Sequence, residues 1–268
     1  MSWAPAFRKE WLEQRRTYRL LIVAVVLTLF GLLSPLFARY TPEIIRMVAP
    51  MGEEIIKLLP PPSAGDAVDQ YLKNITQFGV LLALLMTMGT MSLEKDKGTA
   101  ALMMAKPLSR GEFVLAKFAS LSLTFSLGVF LAGAAGYYYT LVLFGPLDPA
   151  GWVGLNLLVL VFLLVHVALT LLCSTLTKSQ VLAGGMSFGI WMVLSLLGAL
   201  PRVGDVMPRH IMDWAARLGK GSGMTSLMDL SPLVDGRSGD HWPALAVSAF
   251  LIVGSLLASC LIFKRQEL

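Results

Sequence analysis

His166 is the side chain in this sequence best suited to proton transfer. It lies in a long apolar stretch that also holds Ser174, and Ser187 lies in the next stretch. A histidine beside a serine hydroxyl is the arrangement of an intramembrane hydrolase, but residues 186–189, Met-Ser-Phe-Gly, lack the Gly-x-Ser-Gly type of turn expected there. We therefore predict no catalytic residue and no metal site, keep hydrolysis as an alternative, and treat His166 as a candidate residue of a transport pathway or an interhelical contact.

ATP chemistry is also missing from the sequence. No Gly-x-x-x-x-Gly-Lys-Ser/Thr phosphate-binding loop is present. The nearest string, Gly219-Lys220-Gly221-Ser222, lacks the upstream glycine and the hydroxyl directly after the lysine. Any work driven by ATP would therefore require a separate ATPase chain.

The elements that position these residues follow from composition, because 56% of the residues are apolar, only 15% are charged, and the apolar ones come in blocks. A bilayer core about 30 Å thick is crossed by roughly 20 residues of helix, and backbone amides in lipid must be bonded within their own segment. The sequence therefore predicts an all-α membrane protein, a single domain over 1–268 with six transmembrane helices. The predicted spans are 20–37, 75–93, 118–144, 152–176, 181–200 and 244–263.

The distribution of cations predicts the orientation of the chain. With the N-terminus inside, 13 of the 22 Lys and Arg fall on the inner side, which carries a net charge of +7, against −2 outside. By the positive-inside rule, both termini are predicted to be cytoplasmic, in a prokaryotic-type plasma (inner) membrane. The basic excess then faces anionic lipid headgroups rather than nucleic acid.

Residues 1–19 have the pattern of an amphipathic helix lying in the membrane interface. Trp3, Phe7, Trp11 and Tyr18 are spaced to share one helical face, and most of the cations lie off that stripe. An ordinary membrane anchor and a partner-contacting helix both fit this pattern.

The segment 94–117 between the second and third spans is charged at both ends and apolar in the middle. Gly98 allows the helix of span 2 to end, Thr99 is placed to cap a short helix over 100–105, and Pro107 stops that helix. Ser109 and Glu112 have capping-box spacing, which predicts the start of the next helix. The short helix presents three apolar side chains that suit either a protein contact or the lipid interface: Leu102, Met103 and Met104.

The two long outer segments are predicted to contain short helices. Between Arg39 and Asn74, apolar residues recur at helical spacing on either side of Pro50, which predicts two amphipathic helices capping the outer side. In 201–243, residues 207–214 form a candidate short helix.

Small and polar residues inside the spans predict close helix contacts. Gly128, Gly133 and Gly136 recur in span 3, and 184–189 is rich in glycine. Interhelical hydrogen bonds are expected from Thr87, Thr90, Asn156, Thr170 and Ser174.

The order of these features resembles the permease subunits of type-2 ATP-binding-cassette transporters, in topology over the whole chain and in motif over 94–117. The residues that resemble the cytoplasmic signature of that family are Glu94, Gly98, Thr99, Pro107, Ser109, Arg110 and Lys117. The resemblance implies that the short helix is a coupling helix seated in a groove of a separate ATPase subunit, and that 201–243 forms an outer gate.

The resemblance also implies the assembly. Two ATPase subunits, which bind ATP and Mg, would pair with two permeases, either two copies of this chain or this chain and a sister. The chain itself would be a non-enzymatic exporter subunit that needs no cofactor of its own. A membrane subunit that docks an ATPase for signalling or scaffolding, without transport, is the alternative.

Overall fold

The structure, a computed structural model, describes residues 3–48, 61–99, 109–201, 203–221 and 241–266. Within these ranges the regular elements are helices, nine of them α-helices, with one short 3₁₀ turn at Gly204–Val206. Six helical stretches are long and apolar enough to cross a membrane, with α3 and α4 together forming the second. The helices are α1 Trp3–Arg16, α2 Arg19–Val48, α3 Ala64–Thr87, α4 Gly89–Asp96, α5 Arg110–Phe144, α6 Pro149–Leu176, α7 Gln180–Gly198, α8 His210–Lys220 and α9 Trp242–Arg265.

The first two long helices continue beyond the apolar blocks that predict them. Helix α2 runs on to Val48, so the predicted separate helix between Arg39 and Pro50 is wrong. Pro35 and Pro42 lie inside α2, and the residue before each donates its hydroxyl to a carbonyl four residues back, Ser34 to Phe30 and Thr41 to Phe37. Helix α3 begins at Ala64, where Ser63 and Asp66 form a capping box. Residues 49–60 lie outside the described ranges.

Helix α6 forms the centre of the bundle, because two thirds of its apolar window, 67%, is buried. It packs against α3, α5, α7, α8 and α9, while α2 packs against α3 and α5. The windows of α7 and α9 are only 11% and 17% buried. Most of the surface of these two helices is therefore left for lipid or for another protein.

Glycines allow the close approach of α2 and α5. A Cβ atom placed at Gly31 would lie 2.5 Å from the carbonyl oxygen of Ala132, and Gly128 is packed against the Val23 side chain. The predicted glycine contacts of span 3 are confirmed, since Gly133 meets Asn156 and Gly136 meets Tyr71. Of the glycines in 184–189, Gly184 makes a close contact, with Met88, whereas Gly185 and Gly189 meet no described atom within 4 Å.

Two of the five residues predicted to form hydrogen bonds between helices, Asn156 and Ser174, do so. The Tyr71 hydroxyl donates to Asn156 Oδ1 at 2.6 Å, and Ser174 bonds to the backbone around Met88. The Thr90 hydroxyl instead donates to the Met86 carbonyl four residues back, across the α3–α4 junction of the same span. The buried hydroxyls of Thr87 and Thr170 have no partner among the described residues, so the prediction for these three threonines is wrong.

Helix α8 covers the end of the bundle opposite α1, here called the α8 face. Lys220 pairs with Asp69 at 2.9 Å, and Gly219 packs against Val68 and Leu155. The short helix predicted over 207–214 begins later, at His210, and runs further, to Lys220, because Pro208 and Arg209 belong to the turn before it. Residues 222–240 lie outside the described ranges.

The approach of α2 and α5 makes a specific prediction about Gly31. Gly31→Ala places a methyl group against backbone, which cannot rotate away, so the two helices must separate at a cost of about 1–3 kcal/mol. We expect the thermal unfolding midpoint in mild detergent to fall by several degrees.

The matched control is Gly185→Ala, whose added methyl group meets nothing described within 4 Å. It carries the same chemical change in another apolar helix and should leave the midpoint unchanged. Equal midpoints for the two variants would contradict the close approach.

Candidate functional site

Helix α1 packs its polar face, not its aromatic one, onto the rest of the chain. The buried residues of α1 are Ala6, Glu10 and Gln14, each four positions from the next. Trp3 is exposed and stacks on the ring of Phe7 with the centroids 5.1 Å apart. The helix is therefore fixed to the protein by charge and hydrogen bonding and keeps aromatic rings at its surface.

The prediction that Tyr18 shares the aromatic face is wrong. Helix α1 ends at Arg16, and Tyr18 lies in the turn before α2 with a φ of 58°. A positive φ is uncommon for an aromatic residue and breaks the helical periodicity. The spacing between Trp3 and Tyr18 therefore no longer predicts the direction of the Tyr18 ring. The Tyr18 side chain is 67% exposed.

An ionic cluster of five residues joins α1 to the ends of α4 and α5. The Lys117 ammonium group lies 3.0 Å from Glu10 and 2.9 Å from Glu94. The side chains of Lys117 and Glu10 are only 1% and 3% exposed. Lys9 bridges the same carboxylates from the other side, at 2.8 Å from Glu10 and 3.2 Å from Glu94, and also reaches Glu13 at 3.1 Å.

The groups around Glu10 and Lys9 keep both of these side chains ionised. Burial alone would raise the pKa of the Glu10 carboxyl group, but the Lys117 and Lys9 ammonium groups and their hydrogen bonds hold this pKa below its ordinary value of 4.5. Burial would lower the pKa of Lys9, but the carboxylates of Glu10, Glu94 and Glu13 outweigh it and raise the pKa above 10.5. Glu10 and Lys9 are therefore both ionised near neutral pH.

The end of α4 has the geometry that the sequence predicts. Gly98 has a φ of +67°, and its amide donates to the Lys95 carbonyl, which ends the helix in the left-handed conformation that favours glycine. The Thr99 hydroxyl donates back to the Glu94 carbonyl at 3.2 Å. The predicted short helix over 100–105 and its cap by Thr99 fall on 100–108, which lies outside the described ranges. This segment includes Leu102, Met103, Met104 and Pro107.

The start of α5 confirms the predicted capping box. The Ser109 hydroxyl accepts from the Glu112 amide at 3.2 Å, and the Glu112 carboxylate accepts from the Ser109 amide at 3.0 Å. Arg110 points elsewhere and donates to the carbonyls of Phe263, Lys264 and Gln266 at 2.6–3.0 Å. It therefore binds the end of α9, whose last carbonyls have no partners within their own helix.

The junction of α3 and α4 is a break in the helix that another helix completes. Ser174 of α6 donates its hydroxyl to the Met88 carbonyl at 2.7 Å and accepts from the amides of Met91 and Ser92, each at 3.0 Å. One hydroxyl thus satisfies backbone groups on both sides of the break. We call this arrangement the Met88 hinge.

The predicted site residues therefore fall into separate places. Glu94 and Lys117 meet in the ionic cluster, while Arg110 holds α9. His166 lies apart, buried in α6, with its Nδ1 2.8 Å from the Phe162 carbonyl in its own helix. Within the described ranges it makes no hydrogen bond to a neighbouring helix. The sequence analysis did not identify Glu10. The signal for it is Lys117, because a lysine beside an apolar block requires a carboxylate partner.

The ionic cluster predicts a strong dependence on Lys117. Lys117→Met removes the buried cation between Glu10 and Glu94 and leaves the more exposed Lys9 as their shared partner. Breaking a fully buried pair costs about 3–5 kcal/mol, so we expect a loss of up to about that size. We expect a lower unfolding midpoint and faster tryptic cleavage at Arg15 and Arg16 as α1 separates. Lys97→Met, the same change at an exposed lysine of the same segment, is the control, and equal effects of the two changes would argue against the cluster.

The lowered pKa of Glu10 predicts how this contribution depends on pH. Ionised Glu10 stabilises the fold above its ordinary pKa of 4.5, and the contribution is lost as the pH falls through the lower pKa of the folded state. The stability difference between the wild type and Glu10→Gln, measured by thermal unfolding, should therefore shrink as the solution is acidified. A difference that stays constant with pH would contradict the assignment of the charge to Glu10.

Comparisons with known proteins agree with this architecture. The chain is 28% identical over 141 residues to YxlG of Bacillus subtilis strain 168, an uncharacterized transmembrane protein. That alignment covers 51% of this chain and 53% of YxlG, so the match spans about half the length of the relative. The family model described as ABC-2 family transporter protein matches residues 4–268. With nearly the whole chain matched and six candidate spans present, the chain belongs to the ABC-2 family of transporter proteins.

Proposed function

We propose that this chain is the permease subunit of an ATP-binding-cassette exporter, and that 94–117 is the segment through which a separate ATPase subunit acts on it. The observation that carries the proposal is the ionic cluster, because it ties Glu94 and Lys117, at the two ends of this segment, to α1. A force applied to 94–117 would therefore reach three helices directly, namely α1, α4 and α5.

The fixed ends of the segment support this role. Gly98 ends α4, the Ser109–Glu112 capping box starts α5, and Arg110 attaches that start to the end of α9. A segment that connects rigid helices at both ends is suited to transmit movement. The apolar residues Leu102, Met103 and Met104 in its middle would then contact the ATPase.

The charge distribution supports the orientation that this function needs. The ionic cluster, the 94–117 segment and the end of α9 lie on the face that carries most of the Lys and Arg residues. We propose that this face is cytoplasmic, in an inner membrane, where an ATPase would find ATP and Mg. Two ATPase subunits and a second permease would complete the transporter.

Hydrolysis by this chain is poorly supported. His166 and Ser174 are eight positions apart on α6, about 12 Å of helical rise, and the Ser174 hydroxyl is committed to the Met88 hinge. The Ser187 hydroxyl donates to the Ala183 carbonyl of its own helix. Among the described residues, neither serine makes a hydrogen bond with His166, whose ring bonds the Phe162 carbonyl through Nδ1.

The first test is purification of the tagged chain from its native membrane in mild detergent, followed by mass spectrometry and an ATPase assay. We expect an ATPase subunit at a ratio near one to one, with turnover that vanadate inhibits. A chain that is recovered alone and inactive under several gentle conditions would overturn the proposal. Recovery of an ATPase without transport in reconstituted vesicles would favour a scaffold instead.

A second test addresses the coupling segment itself. Replacing Met103 and Met104 with Asp adds two charges to the proposed apolar contact, and we expect loss of the ATPase stimulation that the permease causes. The control replaces both residues with Leu, which keeps the contact apolar and of similar volume and should retain stimulation. Normal stimulation in a well-expressed Asp variant would refute the coupling assignment.

A further inference from the structure

A cavity of about 800 Å³ lies between α3, α6, α7 and α8, in the half of the bundle toward the α8 face. This volume is within the range of small-molecule sites, roughly 300–1,000 Å³. Along α3 the wall runs from Leu72 to Val80, about 12 Å of helical rise, and α8 forms the roof. Gln77, Phe188 and Met192 line the cavity and are exposed, so it opens toward the membrane between α3 and α7.

The walls of the cavity change character with depth. The part of the cavity furthest from α8 is apolar and is formed by Val80, Phe162, Phe188 and Trp191. The charged groups of the cavity, Lys73, Arg209 and Asp213, lie at the end near α8. A ligand that matches both parts has a polar head held near α8 and an apolar body lying between α3 and α7.

The charges at the head end favour an anion. Asp213 is already engaged, since its carboxylate lies 3.1 Å from His210 Nδ1. The Lys73 ammonium and Arg209 guanidinium groups make no ion pair or hydrogen bond within the part of the chain that the structure describes. The stem of Arg209 packs on Gly198 at the end of α7, which holds this cation at the rim.

The same charges argue against filling the cavity with a second copy of this chain. The two least buried of the candidate spans, α7 and α9, contain no acidic residue. Packing either one here would desolvate Lys73 and Arg209 without supplying a countercharge, which is costly. A ligand that carries its own anionic group avoids this cost.

We propose that this cavity binds an amphiphile with an anionic head group and an apolar tail, taken from the membrane leaflet on the α8 face. The binding site itself does not depend on the proposed transport function. Only the naming of this amphiphile as the transported substrate class rests on it. The head group would be held by Lys73 and Arg209, and the tail would lie against Phe188, Trp191 and Met192. His166 lines the wall far from α8 and is a polar group that a hydroxyl or carbonyl along the tail would meet.

The test uses the purified full-length chain in lipid nanodiscs, without ATPase, so that its outcome does not depend on coupling. The probe is phosphatidylglycerol with a photoactivatable diazirine in one acyl chain, and crosslinked peptides are mapped by mass spectrometry. Diacylglycerol with the same labelled chain lacks the anionic group, and inorganic phosphate serves as a competitor that has the anion but no tail. We expect crosslinks at 188–192 with the anionic lipid, weak labelling there with diacylglycerol, and no competition by phosphate.

Two sets of variants separate the head and tail contacts. Replacing Lys73 and Arg209 together with Gln should weaken labelling at 188–192 about tenfold or more, since charge-assisted hydrogen bonds are lost. Arg46→Gln removes an exposed cation of the α2 end that does not line the cavity and should leave labelling unchanged. Ser195→Trp should block labelling by filling the cavity, whereas Ser195→Ala should not.

The outcomes distinguish this inference from the proposed function. Equal labelling by both lipids, or labelling that survives the Lys73 and Arg209 changes, would mean ordinary contact with surrounding lipid and would overturn the site. Crosslinks between two copies of the chain at 188–192 would overturn it in favour of a dimer contact. A chain that copurifies with an active ATPase but fails this test would keep its transport function and lose only the amphiphile site.

Discussion

Burial of the Lys117 ammonium group is the constraint on which the arrangement at one end of this protein depends. A cation at 1% exposure needs nearby carboxylates, and Glu10 and Glu94 supply them from two different helices. Helix α1 consequently occupies one position against α4 and α5 and cannot slide along the membrane surface as an independent anchor. Its aromatic side chains then face outward because its polar face is already occupied.

Several local features of this region follow directly from the sequence. The left-handed residue at Gly98 and the capping box at Ser109 and Glu112 depend on neighbours within a few positions, so residue type and spacing are enough to predict them. The spans are equally local, since each is set by its own apolar run. By contrast, the pairing of Glu10 with Lys117 joins positions 107 residues apart. The aromatic periodicity of α1 points to the opposite face of that helix. The position of Lys117 beside an apolar block indicates that it needs a carboxylate, but nothing in the spacing identifies Glu10 as that partner.

The misjudged helix ends have a physical cause of the same kind. Apolar runs mark where lipid can surround a helix, but they do not mark where the helix stops. Helix α2 continues through Pro35 and Pro42, each of which removes one backbone hydrogen bond. The hydroxyls of Ser34 and Thr41 add bonds to the Phe30 and Phe37 carbonyls next to these positions. The cavity was beyond prediction for a further reason, since four helices and the packing of Arg209 on Gly198 define it together.

Helix α6 connects the two halves of the molecule, because it carries both the cavity wall at His166 and the hydroxyl of Ser174 at the Met88 hinge. In an unbroken helix, bending at one point breaks backbone hydrogen bonds. At Met88 the neighbouring helix already supplies those bonds through Ser174. Tilting of α4 against α3 would therefore break fewer backbone hydrogen bonds than bending an unbroken helix, and Ser174 of α6 would be the fixed point of that movement.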